Sequence, residues 1–87
     1  MIRVLVVDDH PLVRQGIQAF LGALSDIEVI AEAGSGEEAL ELVAEHVPDV
    51  VLMDLILPGI DGVEATRRLK EVSPRTQVVV LTSYHDD

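Results

Sequence analysis

Ile2-Arg3-Val4-Leu5-Val6-Val7-Asp8-Asp9 decides the fold of this chain. The apolar run is about one strand long and stops on two acids. A second run, Val50-Val51-Leu52-Met53, stops in the same way on Asp54. If the two are neighbouring parallel strands, Asp8, Asp9 and Asp54 converge on one crevice at the strands' carboxyl ends. Like charges so close are unfavourable unless a cation neutralises them or one carboxyl stays protonated. The pattern suits a site for a hard divalent cation better than a stable acidic core.

Working outward from these runs, short apolar segments alternate with amphipathic ones, with no low-complexity tract or linker-like change in composition. Strand one covers about residues 2 to 8. The helix after it has Pro11 near its first turn and places Val13, Ile17, Phe20, Leu21 and Leu24 on one face. Strand two covers about 28 to 33. Ser35 and Glu38 are spaced as a capping box for a second helix, which is expected to bury Ala39, Leu40, Val43 and Ala44 and to stop before Pro48. Strand three covers about 49 to 54. The turn Leu57-Pro58-Gly59-Ile60 leads to Asp61, which can cap a third helix with Glu64 at the matching position. That helix is expected to turn Val63, Thr66, Leu69 and Val72 inward. Strand four, Gln77 to Thr82, follows Ser73-Pro74. Right-handed crossovers then give an α/β, doubly wound parallel sheet of strand order 2-1-3-4. Helices leave strands one and three on opposite faces, so the crevice opens where the three acids sit.

Eighty-seven residues make a single small domain. Hydrophobic residues make up 48% of the chain, but Phe20 and Tyr84 are its only aromatics, so Val, Leu, Ile and Ala must build the core. Six Lys and Arg against sixteen Asp and Glu leave a net charge of -10, which repels nucleic acid and anionic membrane surfaces. Arg67, Arg68, Lys70 and Arg75 share a stretch with Glu64 and Glu71 and read as a solvated helix face. No cysteine is present for disulfides or thiolate ligation. The first apolar run is too short for a signal peptide or a membrane span, and a soluble cytoplasmic protein is the default.

Several motifs agree in order and spacing: Asp8-Asp9-His10-Pro11 with Val13-Arg14 and Gly16-Ile17, Met53-Asp54-Leu55, Pro58-Gly59 with Asp61-Gly62, and Leu81-Thr82-Ser83. Together they resemble the receiver domain of two-component response regulators of the NarL/FixJ type, a flavodoxin-like fold. The resemblance implies that Asp54 accepts a phosphoryl group from the phosphohistidine of a sensor histidine kinase. It implies Mg²⁺ held by Asp9, Asp54 and the backbone carbonyl of Ile56, with Asp8 acting through water. Thr82 would contact the phosphoryl group and report its presence, with Ser83 a weaker candidate. The chemistry suits the residues. A carboxylate is a competent nucleophile toward phosphorus, but its charge repels the incoming group unless a metal screens both.

Three other readings compete. Gly34-Ser35-Gly36-Glu37-Glu38-Ala39 matches the dinucleotide pattern G-x-G-x-x-A, but Glu37 and Glu38 stand where a pyrophosphate would dock and Ser35 is committed as a cap. His10 beside Asp9 could pass for a ligand or a base; a hard-cation site selects oxygen, so it is read as a residue beside a helix start. His46 and His85 are read as surface residues. The resemblance also has a gap. Receivers continue through a further helix, strand and helix, and that strand carries a lysine which contacts the phosphoryl group. Residues 1–87 are therefore read as one C-terminally incomplete receiver domain, in which Lys70 on the third helix cannot substitute. By the same resemblance a parent protein would bind DNA through an output domain and regulate transcription. The expected chemistry is self-phosphorylation and self-dephosphorylation rather than enzyme turnover. The Val-rich edge of strand four invites a homodimer or an edge-strand oligomer. The rival class is a non-phosphorylated interaction or dimerisation module that keeps the fold.

Overall fold

The computed structural model describes residues 1–55, 57 and 59–81. Strands and helices alternate: β1 (Ile2–Val7), α1 (Pro11–Gly22), β2 (Ile27–Ala33), α2 (Gly36–His46), β3 (Val50–Asp54), α3 (Gly62–Val72) and β4 (Gln77–Leu81). All strand pairs are parallel and the order is β2-β1-β3-β4, the doubly wound, flavodoxin-like arrangement expected. Observed strand limits differ from the expected ones by a residue, as at Val7, Ile27 and Val50. Thr82, placed by the sequence at the end of strand four, lies outside the described residues, as do Ile56, Pro58 and Ser83 to Asp87.

Strand register sets the level of the acids. Leu5 pairs with Val51 and Val7 with Met53, so the next residues along, Asp8 just past β1 and Asp54 at the end of β3, stand side by side. Side chains alternate faces along a strand. Leu5, Val7, Ala33, Val51 and Met53 point to one side and pack on Ala39 and Val43 of α2 and on Ala65 and Leu69 of α3. Val4 and Val6 are also buried but lie outside that cluster, on the side where α1 meets β1 and β2. The turn before β4 is fixed to the turn before β3. Thr76 Oγ1 donates to the Pro48 carbonyl (2.8 Å) and pairs with Ser73 Oγ (2.6 Å), all within the core.

Two helices present faces other than those expected. Of the α1 set, Ile17 and Leu21 are half-buried, whereas Val13, Phe20 and Leu24 are exposed, Phe20 to 70%. Leu24 lies beyond the helix end. The physical reason is lateral support. Helices α2 and α3 pack against each other on one side of the sheet, while α1 crosses the other side with no helix beside it among the described residues. In α3 the inward residues are Gly62, Ala65 and Leu69, with Thr66 half-buried; Val63 and Val72 are exposed. Gly62 sets this roll, because a Cβ there would stand 2.5 Å from Leu55 Cα and 2.6 Å from the Asp54 carbonyl oxygen. In α2, Ala39 and Val43 are buried and Leu40 half-buried as expected, but Ala44 is exposed.

Both expected caps form. Ser35 Oγ accepts from the Glu38 N–H (3.1 Å) and Asp61 Oδ1 from the Glu64 N–H (2.8 Å). The solvated face of α3 is a charge ladder in which Glu64 accepts from Arg67 (2.6 Å) and from Arg68 (2.6 Å), while Arg67 also reaches Glu71 (2.7 Å). The hydrogen bonds from Arg67 and then Arg68 hold the Glu64 carboxyl down at about 2, against an ordinary 4.5. Because the folded value is the lower, this contribution is complete above the ordinary value and is lost as pH falls from 4.5 toward 2. Glu64 is solvent-facing, so the effect is small and weakened by salt. Thermal midpoints measured through that pH window should fall less steeply for Glu64→Gln than for the unsubstituted protein. Equal slopes would show that the ladder contributes nothing.

Candidate functional site

At the carboxyl ends of β1 and β3, one carboxylate oxygen from each of Asp8, Asp9 and Asp54 and a ring nitrogen of His10 lie within 4.8 Å of one another. Asp54 ends β3 and is 1% exposed; Asp8 follows β1 and is 4% exposed; Asp9 stands at the solvent side. The three acids that the sequence brings to one crevice do meet there. Ile56 and Thr82, named for the same site, lie outside the described residues.

Local chemistry holds the β1–α1 turn in shape. The Asp8 N–H donates to the Ala33 carbonyl (3.0 Å), carrying the β1–β2 ladder one step past the strand. Asp8 Oδ1 accepts from the His10 N–H (2.8 Å), the two-residue reach of an Asx turn. His10 is the N-cap of α1, and Pro11 starts the helix, where its missing N–H costs nothing. On the β3 side, the Gly62 N–H donates to the Leu55 carbonyl (3.0 Å), tying the start of α3 to the residue after Asp54.

The sequence assigned His10 only to the helix start, and the structure gives it more. Its Nδ1 stands 3.0 Å from an oxygen of Asp8 and 3.0 Å from one of Asp9. The hydrogen bond with Asp8, followed by the Asp9 charge, raises its pKa above the ordinary 6.5. The only available signal was adjacency, since a residue two places after a turn-forming Asp sits under that side chain. Lys70 is committed elsewhere, donating to the carbonyls of Thr76 (2.7 Å) and Pro74 (3.2 Å), so it is no partner for the acids. His46 is half-buried beside Glu45. The Gly34 N–H, which a dinucleotide phosphate would need, is already bonded to Glu38 Oε1 (2.6 Å).

An apolar notch of about 500 Å³ between the carboxyl ends of α2 and α3, lined by Val43, Ala44, Val47, Val72 and Arg75, shares no residue with the acids. The acidic crevice is where the chemistry lies. Its donor set is hard oxygen at close range with one imidazole nitrogen, and a buried carboxylate among like charges is best neutralised by a hard cation. The residues present therefore fit a hard divalent metal ion.

A doubly wound parallel sheet with three acids at its switch point, one of them buried at a strand end, defines a class as well as a fold. A family model described as the response regulator receiver domain matches residues 4–87, and the chain belongs to that family. It is 52% identical to the transcriptional regulatory protein LiaR of Bacillus subtilis strain 168, over all of this chain and 41% of LiaR. It is 50% identical to the response regulator protein VraR of Staphylococcus saprophyticus, over 99% of this chain and 41% of VraR. The chain thus spans about two-fifths of the length of these curated relatives. Among solved structures, the signal receiver domain of NarL from Mycobacterium tuberculosis superposes with a TM-score of 0.89 at 36% identity, covering 98% of this chain and 68% of that one. The resemblance to NarL-type receivers is borne out.

Proposed function

We propose that Asp54 is the phosphoacceptor of a two-component signalling pathway and that Asp9, Asp54 and the Ile56 carbonyl hold Mg²⁺, with Asp8 acting through water. The observation that carries this reading is the meeting of Asp8, Asp9 and Asp54 within 4.8 Å at the end of β3. An Asp54 carboxylate oxygen attacks phosphorus of a phosphohistidine on a sensor histidine kinase; the P–O bond forms as the P–N bond breaks, and the imidazole leaves with its electron pair and takes up a proton. When bound, the cation screens the acceptor and phosphoryl charges from each other. Burial of Asp54 beside β1 keeps the acceptor fixed for in-line approach and limits water attack on the acyl phosphate. Thr82 would donate its hydroxyl to the phosphoryl oxygens. The domain is a substrate and self-catalyst, not a turnover enzyme.

By likeness to LiaR, whose name describes a transcriptional regulator, the parent protein would act on DNA through a separate output domain in the cytoplasm. No helix among the described residues is long and apolar enough to cross a membrane. Strand β4 pairs only with β3 among the described residues and leaves Val79, Val80 and Leu81 exposed, which favours self-association along that edge. The test is intact mass after incubation with Mg²⁺ and a small acyl phosphate. The unsubstituted protein should gain one phosphoryl group and Asp54→Asn none. Equal uptake by both would refute the acceptor; no uptake by either would favour a non-phosphorylated interaction module.

A further inference from the structure

We infer that Arg14 is a positioning residue for the metal site: from behind the β1–α1 turn it fixes the peptide that carries Asp8 and Asp9. The inference rests on the proposed Mg²⁺ site. Arg14 lies in the first turns of α1, and its side chain, 21% exposed, reaches back over the ends of β1 and β2. Its Nη1 donates to the Asp8 carbonyl (2.9 Å). Its Nε lies 3.2 Å from Glu32 Oε1, an ion pair without the alignment of a hydrogen bond.

This arrangement answers a question that the ladder leaves open. The Asp8 N–H is bonded to Ala33, but β2 ends at Ala33, and the N–H that a parallel ladder would use next, that of Ser35, makes no bond to Asp8. The Asp8 carbonyl therefore has no strand partner at a buried position, and Arg14 supplies the donor. With both its N–H and its C=O held, Asp8 cannot turn about its flanking bonds, and the side chains of Asp8 and Asp9 keep their directions. Glu32 in turn holds the guanidinium against the sheet.

Gly34 lets the end of the Arg14 side chain lie close against the backbone. A Cβ at that position would stand 2.8 Å from Arg14 Nη1. Gly34 is outside the positive-φ region, so a side chain there would act not through backbone strain but by displacing the end of the Arg14 side chain. An arginine that merely covered apolar surface would not need the hydrogen bond to the Asp8 carbonyl.

The test is calorimetric Mg²⁺ titration of the whole chain and of Arg14→Ala, Arg14→Lys, Gly34→Ala and the double variant, each first shown to be folded by circular dichroism. Residues that orient metal ligands change affinity by about 10–100-fold, so Arg14→Ala should weaken Mg²⁺ binding about tenfold, the low end of that range. Arg14→Lys should recover part of it, since one ammonium can reach the carbonyl or the glutamate but not both. Gly34→Ala should weaken binding when Arg14 is present and change nothing when Ala replaces it, the non-additivity of a shared contact. Gly34→Ala also provides a test if Arg14→Ala does not fold, because it displaces the guanidinium without removing it. Unchanged affinity in Arg14→Ala, or an equal Gly34→Ala loss in both backgrounds, would overturn the positioning role alone. Absence of Mg²⁺ binding by the unsubstituted protein would overturn the site, and this role with it.

Discussion

Asp54→Asn should make the metal-free protein more stable and its stability indifferent to Mg²⁺. Asp8, Asp9 and Asp54 crowd their oxygens within 4.8 Å, a repulsion that His10 offsets only in part. Removing one charge from such a cluster should gain on the order of 1 kcal/mol. With metal the order reverses. A ligand at a hundred times its Kd stabilises the native state by about 2.7 kcal/mol. For a domain of this size each kcal/mol moves Tm by roughly 4–8 °C, so saturating Mg²⁺ should raise the Tm of the unsubstituted protein by roughly 10–20 °C. Thermal unfolding with and without Mg²⁺ checks both halves. An Asp54→Asn protein stabilised by Mg²⁺ as much as the original would place the cation elsewhere.

Gly62→Ala should be the most damaging single-methyl change to the fold. The added carbon would meet Leu55 Cα at 2.5 Å and the Asp54 carbonyl oxygen at 2.6 Å, backbone atoms that cannot rotate aside. Either α3 lifts from the sheet or the segment after Asp54 shifts. Overpacking of this kind costs typically 1–3 kcal/mol, and with backbone on both sides about 3 kcal/mol is expected. That is a large share of the roughly 5–15 kcal/mol that a domain has in total. Gly16→Ala is the control. Nothing stands within 4 Å of a Cβ at that mid-helix position, so the change should stabilise by about 0.5–1 kcal/mol. Denaturant unfolding of the two variants should therefore give shifts of opposite sign. A neutral Gly62→Ala would mean that the close approach of α3 does not hold the site.

The strand order and the meeting of the acids were legible because both follow from short-range patterns. Apolar runs one strand long, broken by capped helices, leave few topologies, and an acid at the end of each of two neighbouring strands must face the same crevice. Helix faces were less legible. In α1 the periodicity of Val13, Ile17, Phe20, Leu21 and Leu24 marks an apolar stripe, but coverage of that stripe depends on neighbours that the stripe does not specify. In α3 the larger residues Val63 and Val72 drew the inward face away from Gly62 and Ala65, which are inward because they are small enough for the helix to touch the backbone after Asp54. His10 and Arg14 were invisible as site residues for another reason. For His10 the only hint was its place two residues after Asp8, and for Arg14 the contact depends on how far a side chain reaches across a turn, which residue spacing does not carry.

Among the described residues, apolar side chains are exposed on α1 and along β4 of a chain whose net charge is -10. Phe20, Leu12 and the β4 valines lie at or near its solvent face. The acids, by contrast, are held from three sides: by the β1–β2 ladder, by the Asx turn into α1, and by the contact of Gly62 with the end of β3.

The claim that Asp54 is the acceptor is tested most directly by chemical trapping. After phosphorylation with an acyl phosphate and Mg²⁺, borohydride reduces the aspartyl phosphate to homoserine, and peptide mass mapping locates it. The account predicts homoserine at position 54 and at no other acid. Homoserine at position 8, 9 or 61 with Asp54 intact would contradict it.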